Sequence, residues 1–406
     1  MSYRSDHYGT GGGDLIMEKR VGMEVSIAAA EAVKQCNVDV ISAYPITPQT
    51  HVVEYLSELV ANGELDAEFF CVESEHSALS VCVGASATGA RSFTCTSSQG
   101  LALMSEITYI ASALRLPIVM IIANRALSAP ISIWNDHSDV MSIRDCGWIQ
   151  FFAENGQDVY DQVFCAYRLA EDKEVLLPVI INMDGFTLSH VIEPIELIDQ
   201  EKIDQFLPTY KPILSLHPDR PVTMGGIALP AIFTETKKAQ EVAIKSSMPK
   251  ILETWKAFGD MTGRYYNPVE TYKTEDAETI LVIMGSYGET ASVAVDMMRE
   301  EGRSVGLVKI RLWRPFPFEE FKKATQNAKQ LVVVDRAVSV GAGGPVASEV
   351  KAALYGEDQR PSVYNFVAGL GGRDVAPQDF IKMVDKAEIE IEEGNKEGYE
   401  IYGVRE

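Results

Sequence analysis

Basic residues are scarce in this sequence. Lys and Arg together number 36 against 58 Asp and Glu, so the 406-residue chain carries a formal net charge of −22 at pH 7. A surface this acidic repels phosphate backbones and anionic lipid headgroups, which argues against nucleic acid or a membrane as a partner. The plainer consequence of the charge is solubility.

Long apolar runs and a targeting segment are also missing. The first 20 residues, MSYRSDHYGTGGGDLIMEKR, are polar and glycine-rich, unlike a signal peptide. No later run approaches the ~18 apolar residues of a membrane span. We therefore expect a cytoplasmic protein in which residues 1–20 form an N-terminal extension.

Closely spaced cysteines are absent as well. The six cysteines contain no C-x-x-C pair. Because four-cysteine iron–sulfur clusters usually need such spacing, we expect no cluster in this chain. Cysteines scattered through apolar patterns behave as small buried residues, which fits a reducing compartment. The loop WNDHSD holds one histidine among acids, but nothing completes a zinc-type ligand set, so no metal site is predicted.

What the sequence does contain is a regular alternation of strand and helix patterns. Apolar runs such as RSFTCTSS and LPIVMIIANR alternate with helical patterns, which predicts a parallel sheet with helices on both faces. The pattern becomes irregular over 193–275 and then restarts. The predicted fold class is α/β, with a doubly wound domain over 21–260, a smaller α/β domain over 261–385, and an acidic, extended tail over 386–406.

Two glycine turns, 285–288 and 341–344, each follow a strand pattern and open a helix pattern. Helix-terminal N–H groups at such turns can bind phosphate. Neither turn fits G-x-G-x-x-G followed by an acid about 20 residues later. Tight backbone turns are therefore the favoured interpretation.

Polar side chains occur where two strand patterns end. Ser97, Ser98 and Gln99 follow RSFTCT directly before a helix, and Arg125 follows LPIVMIIAN. Ligands of open α/β sheets bind at the carboxyl ends of the strands, so these side chains are candidate ligand contacts, the guanidinium for a carboxylate. Helix capping by the serines and a structural ion pair at Arg125 are the alternatives.

Glu75 begins the helix pattern EHSALSVCVGASATGA. Helical spacing leads from Glu75 through Leu79 and Cys82 to Ser86, a face of apolar and small residues. A carboxyl on such a face is partly desolvated and suited to acid–base chemistry. The alternative is a solvated glutamate favoured by the helix dipole.

Six stretches resemble the alpha subunits of pyruvate:ferredoxin oxidoreductases and related 2-oxoacid:acceptor oxidoreductases. The resemblance implies a first domain that binds the aminopyrimidine of thiamine diphosphate and a second domain similar to the transketolase C-terminal domain. It extends over roughly residues 21–385 and is carried by ISAYPITPQTHVVEYL (41–56), VESEHSALSVCVGASATGAR (72–91), TCTSSQGLALMSEI (94–107), LPIVMIIANRALSAPISIW (116–134), NDHSDVMSIRDCGW (135–148) and RPFPFEE (314–320).

The resemblance implies roles for individual residues. The family's S-E motif falls on Ser74-Glu75, and its glutamate hydrogen-bonds the pyrimidine ring, so Glu75 is the expected catalytic acid–base residue. The threonine of Y-P-I-T-P and the arginine of N-R-A-L map onto Thr47 and Arg125, which are expected to bind the 2-oxoacid. Cofactor contacts are expected from Glu75 and from the strand-end group Ser97, Ser98 and Gln99.

Thr47 also narrows the range of expected substrates, since the oxalate-using relatives have an arginine at that position. NRALSAPISIW lacks the N-R-G-G-like stretch associated with 2-oxoglutarate enzymes, so pyruvate is favoured. Phenylglyoxylate, indolepyruvate and 2-oxoisovalerate stay open as alternatives. Ile131, Ile133 and Trp134 follow Arg125 in one apolar loop and are expected to sense substrate size.

The resemblance further implies a multi-subunit enzyme that converts a 2-oxoacid and coenzyme A to acyl-CoA and CO₂. A beta subunit is expected to hold the diphosphate and Mg²⁺, and gamma-type subunits the [4Fe-4S] clusters that pass electrons to ferredoxin or NAD. A subunit of charge −22 repels an acidic ferredoxin, so the acceptor is expected to dock elsewhere. The alternatives are a thiamine-dependent decarboxylase without electron transfer and a non-catalytic scaffold.

Overall fold

The computed structural model describes residues 19–395 and 398–405, so the predicted extension lies outside the described residues apart from its last two. The strands are β1 Lys19–Glu24, β2 Val40–Ala43, β3 Glu68–Cys71, β4 Ser92–Thr96, β5 Ile118–Asn124, β6 Ile149–Phe152, β7 Val179–Asp184, β8 Ile192–Leu197, β9 Val269–Tyr272, β10 Thr279–Ile283, β11 Val305–Ile310, β12 Leu312–Arg314, β13 Gln330–Asp335, β14 Ser362–Val367 and β15 Tyr399–Ile401.

Helices alternate with these strands, as predicted, and none in the described ranges has the length and apolarity to cross a membrane. They are α1 Val25–Gln35, α2 Thr50–Ala61, α3 Glu75–Thr88, α4 Ser98–Ala113, α5 Ser138–Ser142, α6 Gly156–Ala170, α7 Gln200–Phe206, α8 Pro230–Ser246, α9 Met248–Thr262, α10 Tyr287–Glu300, α11 Phe318–Thr325, α12 Pro345–Leu354 and α13 Pro377–Glu392, with a 3₁₀ turn at Leu370–Gly372.

The first sheet has the strand order β12-β6-β7-β5-β4-β2-β3. All its pairings are parallel except that of β12 with β6. Every residue of β4, β5 and β7 is buried, which explains the near-continuous apolar runs of a sheet covered on both faces. β6 is not among the predicted strands, because its IQFF run is short and lacks alternation.

The second sheet has the order β15-β14-β13-β10-β11-β9. Its pairings are parallel except at one edge, where β9 runs antiparallel to β11. The predicted α/β class with two parallel sheets is confirmed. A separate antiparallel ribbon of β1 and β8 borders the first sheet.

The second half of the chain also contributes a strand to the first sheet. The sequence SVGLVKIRLW predicts one strand, but the structure divides it at Arg311, and β12 pairs with β6. Arg311 is 7% exposed, and its guanidinium lies 3.0 Å from Asp158 and 2.5 Å from Glu270. These two carboxylates explain how a cation is tolerated where the chain passes from one sheet to the other.

The stretch QEVAIKSSMPKILETWKAFGDMTG has a helical pattern, and the structure confirms it as two helices, α8, which begins earlier at Pro230 and buries only Ala243, and α9. The prediction of an extended tail is wrong for residues 386–392. The tail expected to be extended continues as α13 to Glu392 and then adds β15 to the second sheet. Met383 and Val384 of α13 pack against buried residues of the second sheet, and this packing stabilises a helix that the acid-rich sequence alone does not suggest.

The two glycine turns are backbone turns whose helix ends are filled by carboxylates of the chain itself. At the first turn, the Ser286 N–H donates to Asp184 at 2.9 Å. At the second, the Val346 and Ala347 N–H groups donate to Asp335 at 2.7 and 3.1 Å. These carboxylates occupy the positions that a bound phosphate would take.

Asp184 joins the two sheets. It ends β7, is 2% exposed, and contacts His137 at 2.8 Å within its own domain. From the second domain, the Arg336 guanidinium approaches the same carboxylate to 2.5 Å, and the Ser286 hydroxyl also donates to it. Burial alone would raise the pKa of Asp184, but the charges of Arg336 and His137 and the hydrogen bonds hold it well below its usual value.

Replacing Asp184 with Asn should lower the free energy of unfolding by about 3–5 kcal/mol, because the Arg336 cation then stays buried without its counter-charge. Calorimetry should show a lower and broader melting transition. Since the folded-state pKa lies below the unfolded value of about 3.9, the wild-type advantage should be complete above that pH and decline only as pH falls further.

The matched control is Asp260→Asn, which breaks the exposed pair of Lys256 and Asp260. It should leave the melting transition unchanged. Equal effects of the two substitutions would contradict the role given to Asp184.

Candidate active site

The predicted site residues lie at the carboxyl ends of adjacent parallel strands. β2 leads into the loop containing Thr47, β3 leads to Glu75, β4 leads to Ser97, and β5 leads to Arg125. The strand order reverses between β2 and β4, because β3 lies on one side of β2 and β4 on the other. Such reversal points leave a crevice where ligands of open α/β sheets bind.

Glu75 is the first residue of α3, where the N-cap Ser74 accepts a hydrogen bond from the Ser77 N–H. It is only 7% exposed. Within residues 19–395 and 398–405, its carboxylate has no hydrogen-bond or ion-pair partner. The structure therefore does not support a solvated surface glutamate, and it places an unpaired carboxylate where a ligand could satisfy it.

Gly100 in α4 makes room for this carboxylate. A Cβ atom at Gly100 would lie 2.6 Å from Glu75 Oε1 and 2.5 Å from Thr96 Oγ1. A side chain at that position would therefore displace Glu75 or the end of β4. Gly100 is not among the predicted site residues, although a glycine in the first turn of a helix is a usable signal in the sequence.

The strand-end group does not act as a conventional helix cap. Ser97 precedes α4, but its hydroxyl makes no capping bond and, like that of Thr96, is buried without a hydrogen-bond partner. The Ser98 hydroxyl contacts the Ala126 carbonyl at 2.6 Å, and Gln99 donates to the Ser128 hydroxyl. Two unpaired hydroxyls thus accompany Glu75 at the end of β4.

Arg125 and Thr47 are brought together, as predicted, through a backbone contact. Arg125 Nη1 donates to the Thr47 carbonyl at 2.9 Å, and Nε donates to the Ser132 carbonyl at 2.8 Å. Arg125 is 5% exposed, and no carboxylate within the described ranges pairs with its guanidinium. The structural ion pair considered as an alternative is therefore not observed. A nearly buried cation without an ion-pair partner favours a bound anion.

Asp139 holds two of these loops in place. Its carboxylate accepts backbone N–H bonds from Ser98 at 3.1 Å and Arg125 at 2.9 Å, and a side-chain bond from Asn124 at 3.1 Å. Burial raises the pKa of Asp139 to about 7, against the opposing effect of these donors. The neighbouring His137 is paired with Asp184, so the polar loop serves structure at these positions.

The loop expected to sense substrate size is open to solvent in the isolated chain. Ile131, Ile133 and Trp134 are 74%, 43% and 51% exposed. Trp134 packs on Phe186 with ring centroids 4.8 Å apart, and its Cβ lies 2.5 Å from where a Cβ of Gly372 would be. These residues form one wall next to Arg125, and their predicted role stays a prediction.

Comparison with protein families assigns both halves of this architecture. The profile described as "Pyruvate flavodoxin/ferredoxin oxidoreductase, thiamine diP-bdg" matches residues 31–254, and "Pyruvate:ferredoxin oxidoreductase core domain II" matches 277–380. The chain belongs to this oxidoreductase family. The resemblance found in the sequence motifs and the predicted thiamine-diphosphate-type fold are thereby confirmed.

Curated members of the family match over nearly the whole chain. "Pyruvate synthase subunit PorA" of Pyrococcus furiosus is 48% identical over 94% of this chain and 96% of its own length. The subunit of the same name from Thermotoga maritima is 47% identical over 91% of this chain and 94% of its own. "Ketoisovalerate oxidoreductase subunit VorA" of Pyrococcus horikoshii is 44% identical over 90% and 93%.

Solved structures share the fold. A 2-oxoglutarate:ferredoxin oxidoreductase from Magnetococcus marinus, with 2-oxoglutarate, coenzyme A and succinyl-CoA bound, aligns with a TM-score of 0.69 at 20% identity. The alignment covers 90% of this chain and 65% of that chain. A split-gene transketolase, an inactive beta4 tetramer, aligns over 90% of this chain with a TM-score of 0.53 at 14% identity.

The strand-end residues suit the aminopyrimidine of thiamine diphosphate. Glu75 supplies an unpaired carboxylate, Thr96 and Ser97 supply unpaired hydroxyls, and Gly100 leaves the space between them free of a side chain. This set can accept and donate hydrogen bonds to a polar heteroaromatic ring. No comparable group of basic side chains for a diphosphate adjoins it in the described ranges.

Replacing Gly100 with Ala should displace the Glu75 carboxylate and lower turnover of the assembled enzyme by about 10²-fold, the usual scale of a misplaced catalytic group. Gly84→Ala is the matched control, because a Cβ at Gly84 in α3 meets nothing within 4 Å. Gly84→Ala favours helix by about 0.5–1 kcal/mol, whereas in Gly100→Ala the close contacts offset that gain, so melting temperature is measured for both variants as a check on folding. Unchanged turnover in Gly100→Ala would refute the contact with Glu75.

Proposed function

We propose that this chain is the alpha subunit of a pyruvate:ferredoxin oxidoreductase. Its assembled enzyme oxidatively decarboxylates pyruvate with coenzyme A to acetyl-CoA and CO₂, and two electrons leave one at a time to ferredoxin. The observation that carries the proposal is the match to PorA subunits over 94% of the chain at 48% identity. The domain division at 21–260 and 261–385 is part of the proposal, supported by the packing of Trp255 and Phe258 from α9 in the first core.

Glu75 is the proposed catalytic residue of this chain. Thiamine diphosphate, when bound, supplies the carbanion chemistry that 2-oxoacid decarboxylation requires. Glu75 accepts or donates a proton at the pyrimidine ring, and its 7% exposure keeps competing water away from that hydrogen bond. Ser97, Ser98 and Gln99 line the same strand end and orient the ring.

Arg125 and Thr47 are the proposed binding residues for the substrate. Two of the nitrogen atoms of Arg125 hold the Thr47 and Ser132 carbonyls, which fixes the plane of the guanidinium. The fixed plane also sets the direction of the remaining nitrogen, Nη2, which can donate to the 2-oxoacid carboxylate. Such a charge-assisted bond in a poorly hydrated site is stronger than a neutral one.

Partner subunits complete the site. We propose that a beta subunit holds the diphosphate and Mg²⁺, and that other subunits hold the [4Fe-4S] clusters, coenzyme A and the ferredoxin dock. Exposed apolar side chains next to the site support a covering surface, since α4 exposes Leu103, Tyr109 and Ile110 by 50%, 43% and 39%. The net charge of −22 supports ferredoxin docking on a less acidic subunit.

A second candidate substrate is 2-oxoisovalerate, because the VorA subunit of P. horikoshii is nearly as similar as the PorA subunits, at 44% identity. The two candidates differ in one branched side chain. Measuring kcat/KM of the assembled enzyme for both acids decides between them, and pyruvate should be preferred. The same assay, repeated with NAD as the electron acceptor and with aromatic 2-oxoacids as substrates, tests the remaining alternatives.

Changing Glu75 to Gln should reduce 2-oxoacid-dependent dye reduction by the assembled enzyme by about 10²–10⁴-fold, because the amide cannot exchange the proton. Glu75→Gln preserves shape, so thiamine diphosphate should stay bound in equilibrium dialysis. Near-wild-type kcat would refute the catalytic assignment.

Arg125→Lys should lower kcat/KM for every 2-oxoacid by roughly 10–100-fold, since one ammonium cannot hold two carbonyls and a substrate carboxylate together. The matched control is Arg115→Lys, because Arg115 also donates to two backbone carbonyls, those of Val175 and Leu176. These contacts lie at the amino ends of β5 and β7, whereas the candidate site lies at the carboxyl ends of the strands. The control should affect melting temperature but not kcat/KM. Equal losses of kcat/KM in both variants would indicate a structural role for Arg125.

A further inference from the structure

Three metal-ligating side chains from distant parts of the chain meet beside the first sheet. Glu24 ends β1, His51 lies in the first turn of α2, and His190 lies in the loop after β7. One ligand atom from each lies within 4.8 Å of the others. Glu24, His51 and His190 share no local spacing, so the sequence alone does not predict a metal site there.

Hydrogen bonds orient both imidazole rings. His51 Nδ1 lies 2.6 Å from Glu24 Oε1, and His190 Nδ1 lies 2.7 Å from the Ser189 hydroxyl. His190 can donate Nδ1–H to that hydroxyl, which leaves the lone pair of its Nε2 free, whereas His51 faces Glu24 through Nδ1, so Nδ1 is the atom with which His51 would bind an ion beside Glu24. A second partner on the far nitrogen is what fixes the orientation of metal-binding histidines in proteins.

The cluster is accessible without being fully solvated. The side chains of His51 and Glu24 are 42% and 25% exposed. An ion from solvent can therefore reach the three side chains.

We propose that Glu24, His51 and His190 form a binding site for one divalent transition-metal ion of the zinc type. Two imidazole nitrogens and one carboxylate oxygen suit Zn²⁺ and its neighbours, whereas Mg²⁺ prefers an all-oxygen set. Ligand atoms around tetrahedral Zn²⁺ lie roughly 3.3–3.5 Å apart, given bonds of about 2.0–2.2 Å. The 2.6 Å between His51 Nδ1 and Glu24 Oε1 would widen to that value when an ion replaces the shared proton, while all three ligand atoms already lie within 4.8 Å of one another.

A series of tilted ring contacts connects the site to the loop beside Arg125. The centroids of His51 and His190 are 4.5 Å apart, those of His190 and Phe186 are 4.6 Å apart, and those of Phe186 and Trp134 are 4.8 Å apart. Drawing His190 onto an ion therefore moves the packing of Phe186 against Trp134. Metal binding should be visible in tryptophan fluorescence.

The competing interpretation is a simple ion pair between His51 and Glu24 with a stacked His190. It predicts no stoichiometric metal binding. The test titrates the purified full chain with Co²⁺, whose visible absorption reports nitrogen and oxygen coordination, in a Cys71→Ser background because Cys71 is an exposed thiol. We expect one equivalent of Co²⁺ to bind and Zn²⁺ to displace it.

His51→Gln and His190→Gln should each weaken Co²⁺ binding by more than about 100-fold. Loss of a residue that only hydrogen-bonds a metal ligand already costs about 10–100-fold in affinity, and loss of the ligand itself costs more. His217→Gln is the matched control, because His217 lies 3.8 Å from Asp219 in an exposed pair elsewhere. It should bind Co²⁺ as the parent does. Circular dichroism and melting temperature check that the variants fold.

Absence of a stoichiometric Co²⁺ spectrum in the parent would overturn the proposal, and so would equal weakening by His217→Gln. Quenching of tryptophan fluorescence that persisted in His190→Gln would also contradict it. Activity is not needed for any of these measurements, so failure of the metal site and failure of the proposed enzyme function are distinguishable.

Discussion

The carboxylate of Asp184 lies at the junction on which the rest of the molecule depends. It receives His137 from the first domain and Arg336 and Ser286 from the second, all within a region almost free of solvent. Because a buried charge is tolerated only when paired and hydrogen-bonded, the two sheets are held in one relative position. Arg311 repeats this arrangement where β12 crosses into the first sheet.

This junction determines how the strand-end loops are arranged. Asp184, Asp139 and Asp335 are buried carboxylates that each satisfy backbone N–H groups at loops or helix ends. Glu75 and Arg125 differ from them, since both are nearly buried and neither side chain forms an ion pair in the described ranges. Internal pairs therefore build a rigid frame, and two unpaired charges of opposite sign are left at its edge for ligands.

The surface near that edge indicates what completes the site. α4 and the loop of Ile131, Ile133 and Trp134 expose apolar side chains that a subunit of a larger enzyme would cover. The ring series from Trp134 to His51 connects the same loop to the Glu24, His51 and His190 group. Side-chain packing therefore joins the loop after Arg125 to the border of the first sheet.

Local pattern determined the α/β class, the two parallel sheets and the strand-end positions of Ser97 and Arg125, because periodicity and the order of strand and loop are written in neighbouring residues. Family motifs pointed to Glu75 and Thr47. Only tertiary packing decided that β12 leaves the second domain, that Gly100 makes space for Glu75, and that Glu24, His51 and His190 meet. Such contacts join residues far apart in the chain, and local spacing carries no information about them.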